Sequence, residues 1–250
     1  MYFLKIFSLK VVSSSVDQFT DFLLASKRDQ AKIVTALSMN EFLQIPQQTL
    51  KKIDFLIPDG MPMVWLMKLL DPIAERIYGP DVMEMVLQKT AQTNHKHFFY
   101  GSTNEVLAKL VKKIKQKHPA INFVGVISPP FRELTTDEEN EYFAQIEQNK
   151  PDFIWLSLGG KKQAEASLRL RGFINHPAYI MPVGAAFDFI SGHKQQAPQW
   201  LRQLGLEWFF RLITEPRRLW RRYLLQIPIF LVLWFWELLR IIYSKVTKNN

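Results

Sequence analysis

The 250-residue chain contains no cysteine, which excludes disulfides and thiolate metal sites. Its five histidines are scattered and give neither an HExxH motif nor a paired ligand spacing, so no zinc centre is expected. Glycine is sparse, at ten residues, and neither a Walker pattern nor a complete GxGxxG is present. No long low-complexity segment occurs, and 48% hydrophobic residues suffice to bury a full core as one or two domains. An uninterrupted membrane-crossing run is also missing. Tyr223 to Trp236 is the uncharged stretch, only 14 residues, and Pro228, Glu237 and Arg240 interrupt or close it, whereas a span needs roughly 20. Lys5 and Lys10 sit inside the apolar N-terminus and no cleavage pattern follows them, so no signal peptide is expected and the body of the protein should face the cytoplasm.

What is present is concentrated at the C-terminus. Residues 201 to 250 carry nine Lys/Arg against three Asp/Glu, hence +6 of the formal +9, together with four of the seven tryptophans. Five arginines between Gly205 and Gln226 abut the aromatic run Ile227 to Tyr243. Trp and Tyr favour the headgroup level of a bilayer and Arg snorkels from an apolar face, so a helix lying in the membrane interface is expected. A crossing helix and a helix buried on the domain or on another subunit are the alternatives. The pI of about 9.6 would permit nucleic-acid binding, yet the cations adjoin an apolar helix and no recognition helix or aromatic-studded sheet is evident. The expected partner is an anionic membrane surface, with no nucleic acid. An apolar tail that must be hidden off the membrane also favours a homo-oligomer.

Upstream, short apolar runs alternate with amphipathic segments. Ala31 to Leu37, Lys52 to Pro58, His95 to Ser102, Ile121 to Ser128, Pro151 to Gly159 and Ala178 to Gly184 each read as a buried strand. Thr103 to His118 places apolar residues at 106, 107, 110, 111 and 114 opposite lysines, and Thr135 to Gln148 opens with acids suited to a helix N-terminus. Strand and helix taking turns predicts an α/β fold on a parallel sheet, with chemistry in the loops after the strands. The expected division is an α/β domain over residues 1 to 200 and a basic, aromatic helical appendage over 201 to 250.

Three of those loops carry candidate residues. In IPDGMP, Asp59 and Gly60 lie where a strand stops and the apolar helix Met63 to Leu70 starts. Asp59 is placed either for chemistry or simply to cap that helix. In GSTNE, Gly101 allows close backbone approach, and Ser102 or Thr103 caps the next helix; free N–H groups there would attract a phosphate. The segment Gly159 to Lys162, followed by Gln163, offers flexible backbone and two cations suited to a nucleotide or diphosphate. Asp81 in YGPD is a helix cap that could also bind a hydroxyl, and Asp188 in VGAAFDFISG holds a turn or orients a nucleotide.

Several blocks together resemble one family. They are IPDG at 57 to 60, ERIYGPDVM at 75 to 83, FYGS at 99 to 102, SPPF at 128 to 131, LGGKKQ at 158 to 163, VGAAFDFISG at 183 to 192, QAPQW at 196 to 200 and GLEWFFRLITEPRRLWRR at 205 to 222. The sequence is similar, over about residues 30 to 225, to the WecG/TagA/CpsF group of bacterial glycosyltransferases. The resemblance implies a Rossmann-like α/β fold with a membrane-docking C-terminal appendage. It also implies inverting transfer of an N-acetylmannosamine-type sugar from UDP to a lipid-diphosphate-linked acceptor at the cytoplasmic face of the inner membrane. Carried over residue by residue, the proposed base falls on Asp59, a pocket threonine on Thr35, a pocket glutamine on Gln163 with Gly160 beside it, and the appendage arginines on Arg211, Arg218 and Arg221. Lys161 and Ala164 stand where the family has Pro and Glu, and Gln196 where it has Arg, which leaves the donor sugar open. The Asn-Pro that follows the family threonine is absent, so Ser38 and Asn40 compete with Thr35 for that pocket position.

The chemistry is consistent with these roles. Inversion by direct displacement needs one base for the acceptor hydroxyl, and departing UDP develops negative charge that donors and cations must neutralise. The chain has no Asp-x-Asp to hold a metal. No cofactor beyond the UDP-sugar is expected, and Arg211, Arg218 and Arg221, at spacings of seven and three, are expected on one helix face, with Arg217 and Arg222 left for lipid headgroups. Two other classes remain: an inactive membrane-associated scaffold on the same fold, which would tolerate Asp59→Asn, and a peripheral nucleic-acid binder. Truncation after Arg222 is expected to release the protein from membranes and leave the α/β body folded.

Overall fold

The computed structural model describes residues 1–247. Its first half runs β1 (Tyr2–Ile6), β2 (Leu9–Ser13), α1 (Val16–Ala25), β3 (Lys32–Leu37), α2 (Met39–Gln44), α3 (Gln47–Leu50), β4 (Phe55–Pro58), α4 (Met61–Leu70), α5 (Gly79–Thr90) and β5 (Lys96–Gly101). The second runs α6 (Asn104–Lys117), β6 (Asn122–Ile127), α7 (Thr136–Asn149), β7 (Phe153–Ser157), α8 (Gly160–Phe173), β8 (Tyr179–Pro182), α9 (Ala186–Ser191), α10 (Gln199–Gln203), α11 (Glu207–Thr214) and α12 (Pro216–Val246). All six expected strands and all three expected helices are there.

The strands form one eight-stranded sheet in the order β1-β2-β4-β3-β8-β7-β5-β6, parallel except for the β1–β2 hairpin. Side chains alternate between its two faces with period two: Ile33 and Leu37 enter one core and Val34 the other, as Phe98 and Tyr100 do against Phe99. One face is covered by α2, α4, α7, α8 and α12, the other by α1, α5, α6 and α9. This α/β architecture with a C-terminal apolar helix is the predicted fold class. Contrary to expectation β6 is not a buried strand; it is the sheet edge, half-exposed along most of its length.

The β1–β2 hairpin was not foreseen, for a physical reason. A two-residue hairpin turn usually shows Asn or Gly at its positive-φ positions, but here Phe7 and Ser8 take φ of 50° and 62°. The turn is held from outside. The Phe7 N–H donates to Glu237 Oε1 of α12 at 2.6 Å, and the Phe7 ring lies 4.3 Å from that of Phe42.

The C-terminal helix combines features of the expected interfacial helix and of the alternative, a helix packed on the domain. Pro228 does not interrupt α12, which runs 31 residues and is long and apolar enough to cross a membrane. An interior proline costs a helix about 3 kcal/mol, and packing on both sides of Pro228 offsets that. Tyr223, Phe230 and Ile241 are buried, Phe230 meets Phe42 edge-on at 6.1 Å, and the Trp234 indole donates to the Pro62 carbonyl at 2.8 Å. Glu237 is buried as well, held by Phe7 N–H and Arg240. The opposite stripe, including Leu225, Ile229, Val232, Trp236, Leu239 and Tyr243, is exposed. The helix therefore docks along the body with one apolar face and leaves a second bare.

This docking reverses the expected outcome of truncation. Ending the chain at Arg222 removes three buried hydrophobic side chains, Tyr223, Phe230 and Ile241, each worth about 1.5–3 kcal/mol, and a loss on the order of 5 kcal/mol rivals the whole stability of an ordinary domain. The truncated chain should unfold at markedly lower urea than the full chain in the same detergent. An unchanged midpoint would mean that α12 is not part of the core.

Candidate active site

The two halves of the sheet meet at β3 and β8, where the order of strands reverses. These strands pair only near their starts, Lys32 with Tyr179 and Ile33 with Ile180, while β3–β4 pairing continues to Leu37–Pro58 and β7–β8 pairing to Leu156–Pro182. Beyond Ile33 the central strands diverge. That opens a crevice at their carboxyl ends, the place where open α/β sheets bind ligands. A cleft of about 520 Å³ lies there, between the strand ends and the C-terminal helices.

Asp59 sits on its floor, directly after β4. The alternative role as helix cap is not observed: α4 begins at Gly60 with no side-chain cap. Asp59 Oδ1 instead meets Arg76 Nη2 at 3.2 Å, and Arg76 Nε donates to the Asp59 carbonyl. Arg76 Nη2 also reaches Glu207 Oε2 of α11 at 2.8 Å, and the Tyr78 hydroxyl donates to Glu207 Oε1 at 2.9 Å. The Arg76 guanidinium lies 4.1 Å over the Tyr78 ring. Burial pushes the Asp59 carboxyl up to about 7, with Arg76 opposing and Glu207 and Glu41 adding to the rise. Burial pulls Arg76 down, but the two carboxylates more than offset it and hold the cation firmly charged. The floor is thus a carboxylate poised near neutrality, the range in which a general base works best.

Arg76, Tyr78 and Glu207 were given no role from the sequence, although they lie inside the ERIYGPDVM and GLEWFF blocks. They come from segments more than 100 residues apart, and only the fold joins them to Asp59.

The cations on the cleft wall are Arg211, Arg222 and Arg202. Arg211 fits its expected place and its buried Nε has no partner. Arg218 and Arg221 do not line the cleft: Arg218 pairs with Glu215 at 2.6 Å, and Arg221 lies 5.2 Å over the Trp220 ring, both exposed. Arg222, assigned to lipid from the sequence, faces the cleft. The spacing argument failed because it crossed a helix break. Glu215 precedes Pro216 and takes φ −132°, ψ 53°, since the proline ring disfavours helical backbone before it.

Gly60 and Gln163 line the cleft as expected; Gln163 is buried on α8 with its Oε1 unpartnered. Thr35 does not line it. It is buried within β3, its Oγ1 unpartnered, on the same face as Ile33 and Leu37, and Ser38 and Asn40 occupy the wall instead. Asp81 is paired with Arg202 at 3.3 Å and Asp188 with Lys194 at 3.4 Å, and neither lines the cleft. Gly101 also lies off it. At φ +115° an added Cβ would sit 2.4 Å from the Ser157 carbonyl, so Gly101 serves the approach of β5 to β7, while Thr103 caps α6. Gly160 starts α8 at φ +41° against Gln44, also outside the wall, and Lys161 pairs with Glu165.

Much of the rest of the lining is apolar. It includes Met61, Pro62 and Trp65 of α4 and Ile227, Leu231 and Trp234 of α12, and Leu231 is exposed like the bare stripe of that helix. One cavity therefore carries both a charged cluster around Asp59 and an extensive apolar lining.

The sequence matches the model of the glycosyl transferase WecG/TagA/CpsF family over residues 4–242. It is 30% identical over 228 residues to an N-acetylglucosaminyldiphosphoundecaprenol N-acetyl-beta-D-mannosaminyltransferase of Bacillus spizizenii, covering 88% of this chain and 86% of that protein. A protein of the same description from Bacillus subtilis is 30% identical over 237 residues, covering 89% of this chain and 87% of its own.

Proposed function

This chain belongs to the WecG/TagA/CpsF family of glycosyl transferases, and from that premise we propose that it moves a hexose-type sugar from UDP to a polyprenyl-diphosphate-linked acceptor. N-acetylmannosamine is the sugar named for the Bacillus relatives, and GlcNAc-diphosphoundecaprenol their acceptor; a uronic acid or another hexose are the other donors considered. The observation that carries the reading is a largely apolar cleft that also holds Asp59, Arg76, Glu207, Arg211 and Arg222. It suits an amphiphile with a diphosphate head.

The reaction is a single displacement. The acceptor hydroxyl gives its proton to Asp59 as its oxygen bonds to the anomeric carbon, and the bond from that carbon to the diphosphate oxygen breaks, with UDP taking the electron pair. Attack opposite the leaving group inverts the centre. Arg211 and Arg222 neutralise the charge that grows on the diphosphate, the task a metal performs in many sugar-nucleotide enzymes. The apolar lining supplied by α4 and α12 takes the first isoprene units of the acceptor. The bare stripe of α12 rests in the lipid interface, and a nucleotide-sugar donor places the site on the cytoplasmic side.

The test is UDP release by the full chain in detergent, offered a panel of UDP-sugars with a polyprenyl-diphosphate-GlcNAc. Release that needs one donor and the acceptor, survives EDTA and yields a product of inverted anomeric configuration by the one-bond C1–H1 NMR coupling is expected. Acceptor-independent release, or none with any donor, would favour the scaffold reading.

A further inference from the structure

Resting on that reading of Asp59 as the base, we propose that Glu207, brought in by α11, is a positioning residue that acts on Asp59 through Arg76. Arg76 Nη2 is shared by two carboxylates and lies closer to Glu207 Oε2, at 2.8 Å, than to Asp59 Oδ1, at 3.2 Å. Tyr78 fixes the other Glu207 oxygen at 2.9 Å. All three charged side chains are four-fifths or more buried, so their mutual interactions are weakly screened. Among the described residues, no hydrogen bond reaches Asp59 Oδ2, which leaves that oxygen for a proton from the acceptor.

The physical consequence follows from charge balance. A carboxylate facing one guanidinium alone is held ionised and weakly basic. A second carboxylate on the same guanidinium takes up part of its field, and the first regains affinity for a proton. Glu207 does this from the C-terminal side of the cleft while Arg76, still bound to the Asp59 carbonyl, keeps the floor in place. The groups facing Asp59 are Arg76, Tyr78, Glu207 and Glu41, with Arg202, Arg211 and Arg222 on the surrounding wall. Glu41 is the one other acid among them, and it is engaged by Ser38 and Asn40. A site assembled this way has the proton affinity of Asp59 tuned by a carboxylate that acts on it through Arg76.

The experiment is the pH dependence of kcat/KM for the full chain and Glu207→Gln, with Asp59→Asn alongside. Glutamine keeps the size and two polar atoms of Glu207 and removes its charge. The acid limb of the profile should move to lower pH by about half a unit to one unit, kcat on the plateau should fall several-fold, and KM for the donor should stay within twofold. Glu207→Asp, which keeps the charge, should return the limb to its wild-type position even if kcat stays reduced. If Glu207→Gln does not fold, Glu207→Met, equally neutral and of similar length, decides: an acid limb moved to lower pH supports the proposal, and an unmoved limb overturns it. A Glu207→Gln limb that does not move, or a loss confined to KM, overturns the proposal while leaving Asp59 as base. Turnover retained in Asp59→Asn overturns both.

Discussion

Asp59→Asn should lower kcat by roughly 10³-fold, within the 10²–10⁴ that a positioned base contributes, with KM for donor and acceptor little changed. Asparagine has the same shape and can still accept from Arg76, so the loss would be one of proton affinity and not of architecture. The wild-type rate should rise with pH through about 7, where the Asp59 carboxyl ionises. A stability measurement separates chemistry from misfolding. The folded pKa is raised above the unfolded value, so the stability Asp59 contributes is fully present at acid pH below that unfolded value and is lost as pH rises through the folded one. Relative to the wild type, the Asn variant should therefore gain in Tm between about pH 4 and pH 7 and keep that gain above it. A variant with full turnover, or with a Tm difference that ignores pH, would remove Asp59 from the role of base.

The second large effect concerns the leaving group. Arg211→Ala and Arg222→Ala should each reduce kcat by on the order of 10²-fold, as loss of one donor to developing charge does elsewhere, and the double variant should lose more than either. Both side chains face the cleft, and burial, with Arg211 nearby, pulls the Arg222 guanidinium below its usual range, so an anion between the two arginines would relieve their repulsion. Arg218→Ala and Arg221→Ala should stay within about twofold in detergent, because surface pairs such as Arg218–Glu215 contribute little. Equal losses at all four positions would mean that the two helices rearrange around substrate.

How far the sequence alone reached can be judged element by element. Five of the six predicted strands were readable because both faces of such a sheet are buried, which leaves near-continuous apolar runs; β6 carries a similar run but lies half-exposed at the edge. The β1–β2 hairpin was hidden, because its turn uses Phe7 and Ser8 at positive φ and depends on a carboxylate 230 positions away. Asp59 was legible from its place between strand and helix, and Gln163 and Arg211 from their motif blocks. Arg218 and Arg221 were misplaced because helical periodicity was counted across Glu215, where the backbone leaves the helix.

By itself the sequence determined the family, the α/β class and the identity of the candidate base, since these depend on local patterns of apolar residues and on short motifs. Only the tertiary structure decided which arginines share a cavity with Asp59, that α12 is core as well as surface, and that Arg76 joins Glu207 to Asp59. Those facts depend on side chains distant in sequence meeting in space. Strand divergence at β3 and β8 and the docking of α12 make them meet, and neither leaves a periodicity to read.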